Sequence, residues 1–245
     1  MPASGPPSTI LLVTPVWNDS ARLDGFGRTL ARALSESDLP IRWIIADDGS
    51  GEVEKPRLLE LRNEFAAVFP RVEVHFANAH RGKGSVVREA WALAPDADWY
   101  CFLDADGSVT AADFLKLIRT SVEENSSVLG IRKRTESTRL VESLFRGLAH
   151  RAYLILARLL LGLRCEDTQC GAKIIRGDDY RHVAPRLSED GLAFDTELLF
   201  ALAHGGCDWL EVPVSWVEKP GGKVRPLRDA WGVFLSLLEI RRRSW

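Results

Sequence analysis

A chain of 245 residues can bury a substantial core, and its composition of 46% hydrophobic and 27% charged residues is ordinary for a globular protein. The formal net charge of -2 provides no general attraction for nucleic acid, so we expect no nucleic-acid partner. No stretch of about 18 uninterrupted apolar residues predicts a transmembrane helix, and residues 1–8 lack the basic and apolar regions of a signal peptide. We therefore expect a disordered lead at 1–8 and a cytoplasmic protein.

Strand-like and helix-like segments alternate through the first half of the chain. Short apolar runs rich in β-branched and aromatic residues predict strands at 9–16, 41–48, 72–78 and 99–106. Helical patterns lie at 21–36, 54–68, 84–94 and 111–124, and a further strand at 126–133. This alternation indicates βαβ units and a doubly wound, mostly parallel α/β sheet covered on both faces.

The pattern changes near residue 135 without a linker or a repeat. The elements predicted beyond it are helices at 137–163, 194–204 and 227–241, and strands at 172–177 and 208–218. We therefore expect a single domain over 9–245, with a first half at 9–133 and a more helical second half at 134–245.

The four cysteines, Cys101, Cys165, Cys170 and Cys207, form no C-x-x-C pair and have few histidines near them. This spacing disfavours a zinc site. A disulfide between Cys165 and Cys170 is one alternative, and free buried thiols in a reducing cytoplasm are the favoured one.

Two aspartates end the apolar run "CFLDADGS". Because ligands of parallel α/β sheets bind beyond the carboxyl ends of the strands, Asp104 and Asp106 are candidate functional residues. Two carboxylates so close repel each other unless a cation lies between them, and hard oxygen ligands suit Mg²⁺ or Mn²⁺. The structural alternative is that Asp106 and Gly107 form only a turn and that Asp104 caps a helix.

The segment "NAHRGKGSVVREA" is a loop rich in glycine and basic residues that opens a helix. Free N–H groups at a helix start, with Arg81 and Lys83 beside them, would bind phosphate. The segment matches neither the P-loop pattern nor G-x-G-x-x-G. Its alternative interpretation is a tight glycine turn with solvated basic side chains.

Taken together, the motifs resemble the inverting family-two glycosyltransferases of the GT-A fold, a Rossmann-like α/β fold. Within that family they are most similar to the polyprenyl- and dolichyl-phosphate glucosyl- and mannosyltransferases. The residues that carry the resemblance span nearly the whole chain: "TPVWND", "ADDGSG", "NAHRGKGSVVREA", "FLDADGS", "GIRKR", "DTQCGAKIIR", "FDTELLF" and "EVPVSWVEKPGGKVRPLRD".

The resemblance implies a role for individual residues. It implies that the nucleotide sugar is bound by Pro15, Trp17, Asp19, Asp47 or Asp48, Arg81, Lys83, Asp104 and Gln169. It implies that the cation is bound by Asp104 and Asp106, with Ser108 at the position of a third ligand in some relatives. Catalytic roles fall to Asp106, to Arg132 near the acceptor and to Asp195 in a segment that closes over the sugar.

The implied reaction moves glucose or mannose from UDP-glucose or GDP-mannose to an acceptor. A polyprenyl phosphate needs no general base, because its phosphate is mostly dianionic at neutral pH, but it needs cationic side chains. Candidates for that role are Arg132, Arg139, Arg146, Lys223 and Arg225, with Lys133 and Arg134 beside them. A hydroxyl acceptor would instead need Asp195 as a base, unless Asp195 is only the N-cap of its helix. A non-catalytic nucleotide-sugar-binding protein is the third alternative.

The segment "LVESLFRGLAHRAYLILARLLLGL" is apolar with interleaved arginines and is too charged to span a bilayer. One interpretation places it at a membrane interface, with its arginines at headgroup phosphates, which makes the protein peripheral at the cytoplasmic face. The other interpretation is a helix that packs on the sheet or forms a contact between two copies of the chain.

Overall fold

The computed structural model describes residues 9–222 and 226–243, with the side chains of 226–230 left aside. The predicted lead at 1–8 and two of the candidate cations, Lys223 and Arg225, lie outside the described residues. The first half contains β1 (Ile10–Val16), α1 (Ser20–Ser35), β2 (Ile41–Asp47), α2 (Glu54–Ala66), β3 (Val72–Phe76), α3 (Lys83–Trp91) and β4 (Trp99–Leu103).

The second half completes the sheet and adds helices. Its elements are α4 (Ala111–Glu124), β5 (Ser127–Arg132), β6 (Leu140–Val141), α5 (Leu144–Leu161), β7 (Ala172–Arg176), α6 (Gly177–Val183), a 3-10 turn (Ala184–Arg186), α7 (Phe194–His204), β8 (Trp209–Val214), β9 (Trp216–Val217) and α8 (Pro226–Arg242). The main sheet has seven strands in the order β3-β2-β1-β4-β7-β5-β8.

Strand direction confirms the predicted doubly wound sheet. β1 pairs in parallel with both β2 and β4, and β5 pairs in parallel with β8. β7 alone among the seven is antiparallel, between β4 and β5. All five residues of β4 are buried, as expected for a central strand covered on both faces.

Helices cover the two faces of the sheet and divide the core into two layers. One layer holds side chains of α1, α2 and α4 around Trp43 and Phe114, and the other holds side chains of α3, α6, α7 and α8 around Trp91 and Phe102. Parallel pairing brings the carboxyl ends of β1, β2 and β4 to one edge, where the candidate residues of the first half lie.

Two boundary predictions in the second half are wrong. Residues 137–163 do not form one helix, because residues 140–141 form β6 and the helix begins only after Ser143, whose side chain accepts the backbone N–H of Arg146. The predicted strand at 208–218 is interrupted at Ser215, so that β8 belongs to the main sheet while β9 pairs with β6 in a separate two-stranded sheet. α6 is an additional helix that the sequence pattern did not predict.

The cysteines are free thiols, which rules out the alternative of a Cys165–Cys170 disulfide. Within the part of the chain that the structure describes, no helix combines the length and the apolar character needed to cross a bilayer.

Candidate active site

The two aspartates after β4 lie in a loop rather than on the strand, which ends at Leu103. The Asp104 N–H donates to the carbonyl of Gly171 at 2.9 Å, and Asp106 Oδ1 accepts the N–H of Ser108 at 2.8 Å. Thr110 caps α4, so the alternative in which Asp104 caps a helix is wrong. Asp106 does form a turn, but its Oδ2 remains directed to Arg22 at 3.4 Å.

Basic side chains balance the charge of this acidic loop. Lys83 Nζ lies 2.9 Å from Asp104 Oδ1 and 3.0 Å from Asp195 Oδ2. Burial raises the pKa of Asp104 above its ordinary value; the Lys83 ammonium opposes this, and the carboxylates of Asp106 and Asp195 add to it. Burial works against the Lys83 ammonium, yet the neighbouring carboxylates raise its pKa above the ordinary value. Asp104 and Asp195 thus share the Lys83 ammonium between their carboxylates.

The residues present fit a hard divalent cation. Asp104, Asp106 and Ser108 line one cavity of about 60 Å³. Ser108 Oγ is buried and has no hydrogen-bond partner among the described residues, so it is available as a ligand. No group of three His, Cys, Asp or Glu side chains within the described ranges could hold a metal alone. Two carboxylates and a hydroxyl match a Mg²⁺ or Mn²⁺ shell completed by water and a diphosphate.

Two arginines give the same cavity a basic wall. Arg132, at the end of β5, and Arg146, on α5, lie 5.4 Å and 5.3 Å from the centre of the Trp216 ring, and all three line the cavity. Arg132 donates to both carboxylate oxygens of Asp167, at 2.7 and 2.9 Å. Burial works against the Asp167 carboxylate, but Arg132 lowers its pKa to about 2. The buried ion pair fixes Arg132 in place.

Asp195 lies in the first turn of α7, after the N-cap residue Ala193, so the N-cap alternative is wrong. Its carboxylate is buried, with Oδ1 at 2.8 Å from Lys173 Nζ and Oδ2 at 3.0 Å from Lys83 Nζ. Burial opposes its charged form, but the two ammonium groups lower its pKa below the ordinary value. A carboxylate held between two cations is a weak base.

Loop 80–82 is held by Asp48. Its carboxylate accepts His80 Nδ1 at 2.8 Å, the Arg81 N–H at 2.9 Å and the Gly82 N–H at 2.8 Å. Asp47 differs, because its Oδ2 accepts the N–H of Ser50 while its Oδ1 is buried and has no hydrogen-bond partner among the described residues. Of the two, Asp47 therefore has the acceptor atom left for an incoming N–H group.

An aromatic stack lies beside these acids. The rings of Trp17 and His80 are 3.9 Å apart and nearly parallel, at 9°. Gly49 brings the two loops together: its φ is +63°, and a Cβ there would lie 2.4 Å from the backbone of Ala79 and His80. The stack is a flat surface of the kind on which a base can pack.

The remaining candidates are distributed as follows. Pro15 lies in β1, opposite Ala46 of β2. Asp19 is ion-paired with Arg22, and Arg81 is ion-paired with Asp190 at 3.2 Å. Gln169 lines the cavity, and its N–H donates to Asp167 at 2.9 Å. Arg139 does not line the cavity; its carbonyl accepts the N–H of Trp216.

Several residues of the site were not predicted from the sequence. These are Arg22, Asp167, Lys173, Trp216 and His150, whose Nδ1 lies 2.9 Å from Arg132 Nη2. Asp167 and Lys173 lie within the quoted motif "DTQCGAK", and a buried arginine such as Arg132 requires an acidic partner, which could have drawn attention to Asp167. The other three follow from long-range packing that leaves no local pattern.

Comparison with known proteins gives a family match. The model of a family described as "Glycosyl transferase family 2" matches residues 12–177. A dolichyl-phosphate beta-glucosyltransferase of Dictyostelium discoideum is 27% identical over 95% of this chain and 73% of its own length. The enzyme of the same name from Saccharomyces cerevisiae is 27% identical over 94% and 73%. Glycosyltransferase AglD of Haloferax volcanii is 27% identical over 96% of this chain and 37% of its own length.

Solved structures show the same fold. Glucosyl-3-phosphoglycerate synthase from Mycobacterium tuberculosis, in complex with Mn²⁺, UDP and phosphoglyceric acid, superposes with a TM-score of 0.66. The match covers 97% of this chain and 80% of that chain at 16% identity. The predicted GT-A architecture is confirmed by this likeness.

Proposed function

The chain belongs to glycosyltransferase family 2 and is a glycosyltransferase, and from this premise we propose that it moves glucose from a nucleotide diphosphate sugar to a polyprenyl phosphate. The observation that carries the proposal is one cavity that is lined both by Asp104, Asp106 and Ser108 and by Arg132 and Arg146. An acidic wall suits a cation and a donor diphosphate, and a basic wall suits a second phosphate. Relatives named as dolichyl-phosphate beta-glucosyltransferases support that choice of acceptor.

On the donor side, Asp104, Asp106 and Ser108 would hold Mg²⁺ or Mn²⁺, which neutralises the negative charge on the leaving diphosphate. The Trp17–His80 stack would receive the base, and Asp47 Oδ1 would accept an N–H group from it. The wider donor site would include Pro15, Asp19, Asp48, Arg81, Lys83 and Gln169. Asp48 and Arg81 would act by holding the 80–82 loop in position.

On the acceptor side, Arg132 and Arg146 would bind the phosphate of the lipid. Arginine is suited to this because its planar guanidinium offers paired N–H donors to phosphate oxygens. With a second pKa of about 6, the acceptor phosphate is already a dianion at neutral pH and needs no proton removed. It would attack the anomeric carbon from the face opposite the leaving diphosphate and invert it. Lys223 and Arg225 remain candidates for the same site.

A hydroxyl acceptor is the second candidate, and it would require Asp195 as a general base. Asp195 is buried between Lys173 and Lys83, and its pKa is held below the ordinary value. Both features weaken it as a proton acceptor, so the phosphate acceptor is favoured.

An enzyme that acts on a polyprenyl phosphate has to reach the membrane. The proposal therefore includes peripheral attachment at the cytoplasmic face of a bilayer.

UDP-glucose is the first donor to test, because two of the relatives described above are named as glucosyltransferases and a solved structure of the same fold contains UDP. GDP-mannose is the alternative donor.

Turnover with matched acceptors tests the proposal. Purified protein with Mn²⁺ or Mg²⁺ would be given UDP-glucose or GDP-mannose, together with a short-chain polyprenyl phosphate or the polyprenol of the same length. We expect glucosyl lipid from UDP-glucose and the phosphate, and none from the alcohol. Transfer to the alcohol and not to the phosphate would contradict the acceptor assignment. Mannosyl lipid in place of glucosyl lipid would contradict the donor assignment.

A further inference from the structure

Helix α5 presents two different faces. On the inner face, Ala157 and Leu161 are buried, and the Tyr153 hydroxyl is hydrogen-bonded to Thr196 at 2.6 Å. The outer face carries large apolar side chains that contact water: Leu144, Phe145, Leu148, Ile155 and Leu159, with exposed fractions of 51% to 89%. Helices on the surface of a globular protein usually direct such side chains inward.

Helix α8 packs against α5 and adds to the exposed apolar surface. Leu237 and Ile240 are buried in the core, whereas Trp231 is 68% exposed and Leu235 is 42% exposed. Exposed apolar side chains that occur singly are normal, but a series along one helix with more on its neighbour marks an interaction surface.

The charges of α5 identify the kind of partner. Between Ser143 and Cys165 the sequence contains Arg146, Arg151, Arg158 and Arg164 and no aspartate or glutamate. Arg151, Arg158 and Arg164 are exposed, and Arg241 and Arg242 are exposed at the end of α8. A second copy of the chain docked through this face would bring like charges together, which is destabilising. An anionic lipid surface accepts both the apolar side chains and the arginines.

We propose that the outer face of α5 docks on the surface of a membrane that contains anionic lipids, with Leu144, Phe145, Leu148, Ile155 and Leu159 among the acyl chains and the arginines at the phosphates. The position of α5 beside the cavity supports a membrane as the partner. Arg146 lies on the same helix and lines the cavity with Arg132, so a docked bilayer lies next to the basic wall. The docking depends on the exposed face and not on which sugar is transferred.

Flotation with vesicles of defined composition tests the docking. The full chain would be mixed with vesicles of phosphatidylcholine alone, or of phosphatidylcholine with about a third phosphatidylglycerol. We expect it to float with the anionic vesicles at least tenfold more than with the neutral ones. Leu148→Asp combined with Leu159→Asp should remove most of the binding. Arg158→Gln should weaken it about fivefold, as expected for one basic residue at an anionic surface.

The control is Leu59→Asp, which introduces one aspartate at a half-exposed leucine of α2, away from the α5 face. It should bind vesicles like the unchanged chain, and circular dichroism should show that all the variants are folded. Equal flotation of the Leu148→Asp, Leu159→Asp variant and the unchanged chain would overturn the proposal. A wild-type chain that ignores vesicles but forms a dimer broken by the same variant would also overturn it, in favour of a second copy.

Membrane docking and the proposed glucosyl transfer can be tested separately. If the proposed transfer is correct, the Leu148→Asp, Leu159→Asp variant should keep its turnover on a short, water-soluble polyprenyl phosphate and lose turnover on a long-chain acceptor in vesicles. If no acceptor is glucosylated but the wild-type chain floats and the variant does not, the docking stands while the acceptor assignment falls.

Discussion

Gly171→Ala should disable the enzyme while leaving the fold intact. A Cβ at position 171 would lie 1.9 Å from Asp104 Oδ2 and 2.2 Å from Asp104 Cγ. Rotation of the carboxylate does not relieve the clash, because Asp104 Cβ would also be only 2.9 Å away. The Asp104 N–H is meanwhile bonded to the Gly171 carbonyl. Either the loop or Asp104 therefore has to move by about 1 Å, a displacement that can cost about 100-fold in rate at a reacting centre.

The assay is steady-state turnover with Mn²⁺, paired with a thermal melt. We expect kcat about 100-fold lower, and a loss of stability of about 1–3 kcal/mol, as is usual for overpacking. For a chain of this length each kcal/mol lowers Tm by about 2–4 °C. Gly25→Ala is the matched control, because a Cβ there meets nothing within 4 Å and the residue lies in α1. A folded Gly171→Ala enzyme with kcat within twofold of wild type would mean that the position of Asp104 does not limit turnover.

Three further perturbations test other parts of the site. Asp106→Asn should lower turnover more than about 1000-fold, and EDTA should have the same effect until Mn²⁺ is restored; full activity after either would exclude the metal assignment. Arg132→Lys should raise KM for the acceptor about tenfold or more, because a lysine cannot keep the two-point contact with Asp167 and also offer N–H donors to the phosphate; an unchanged KM would place the acceptor phosphate elsewhere. Asp167→Asn should be less stable than wild type above about pH 4, where the Asp167 carboxylate is charged. Burial disfavours that charge, but Arg132 lowers the pKa of Asp167 to about 2 from 3.8, so urea titrations should show the difference in stability shrinking as the pH falls from 4 towards 2. A difference that does not depend on pH would contradict the role of the ion pair.

The first half of the chain could be predicted closely from its sequence. Its strands are short, apolar and separated by helical periodicity, and the parallel arrangement follows from that alternation. Once the sheet is parallel, Asp47 and Asp104 must lie at the same edge. β2 ends at Asp47, β4 ends just before Asp104, and both strands pair in parallel with β1. The position of Asp104 at this edge was therefore predictable from the sequence, although β4 ends at Leu103 and not at Asp106.

The segment before α5 shows why helical periodicity misleads. The side chains of Thr135 and Thr138 bond to the local backbone: Thr138 Oγ1 accepts the N–H of Thr135 at 3.0 Å and donates to the carbonyl of Lys133 at 2.6 Å. Such bonds compete with the helix for backbone groups. Two-residue strands such as β6 carry too few residues for a period of two to be visible.

The charged network around Asp195 was also beyond prediction from the sequence. Lys83, Asp104, Lys173 and Asp195 are far apart in the chain and meet only after β4, β7, α3 and α7 have packed. A fully buried lysine such as Lys173 is rare and looks in sequence like any solvated lysine. Its ammonium group stabilises the charged form of Asp195 and so weakens Asp195 as a base, an effect that the sequence pattern does not indicate.

In the proposed enzyme, one cavity holds the cation and donor diphosphate at Asp104 and Asp106 and the acceptor phosphate at Arg132 and Arg146. Crystals grown with Mn²⁺, UDP and a short-chain polyprenyl phosphate, measured with anomalous scattering, would locate all three groups. We expect a manganese peak at coordination distance from Asp104 and Asp106, and the acceptor phosphate in contact with Arg132 and Arg146. A manganese peak away from both aspartates, or a bound acceptor phosphate remote from both arginines, would contradict this arrangement.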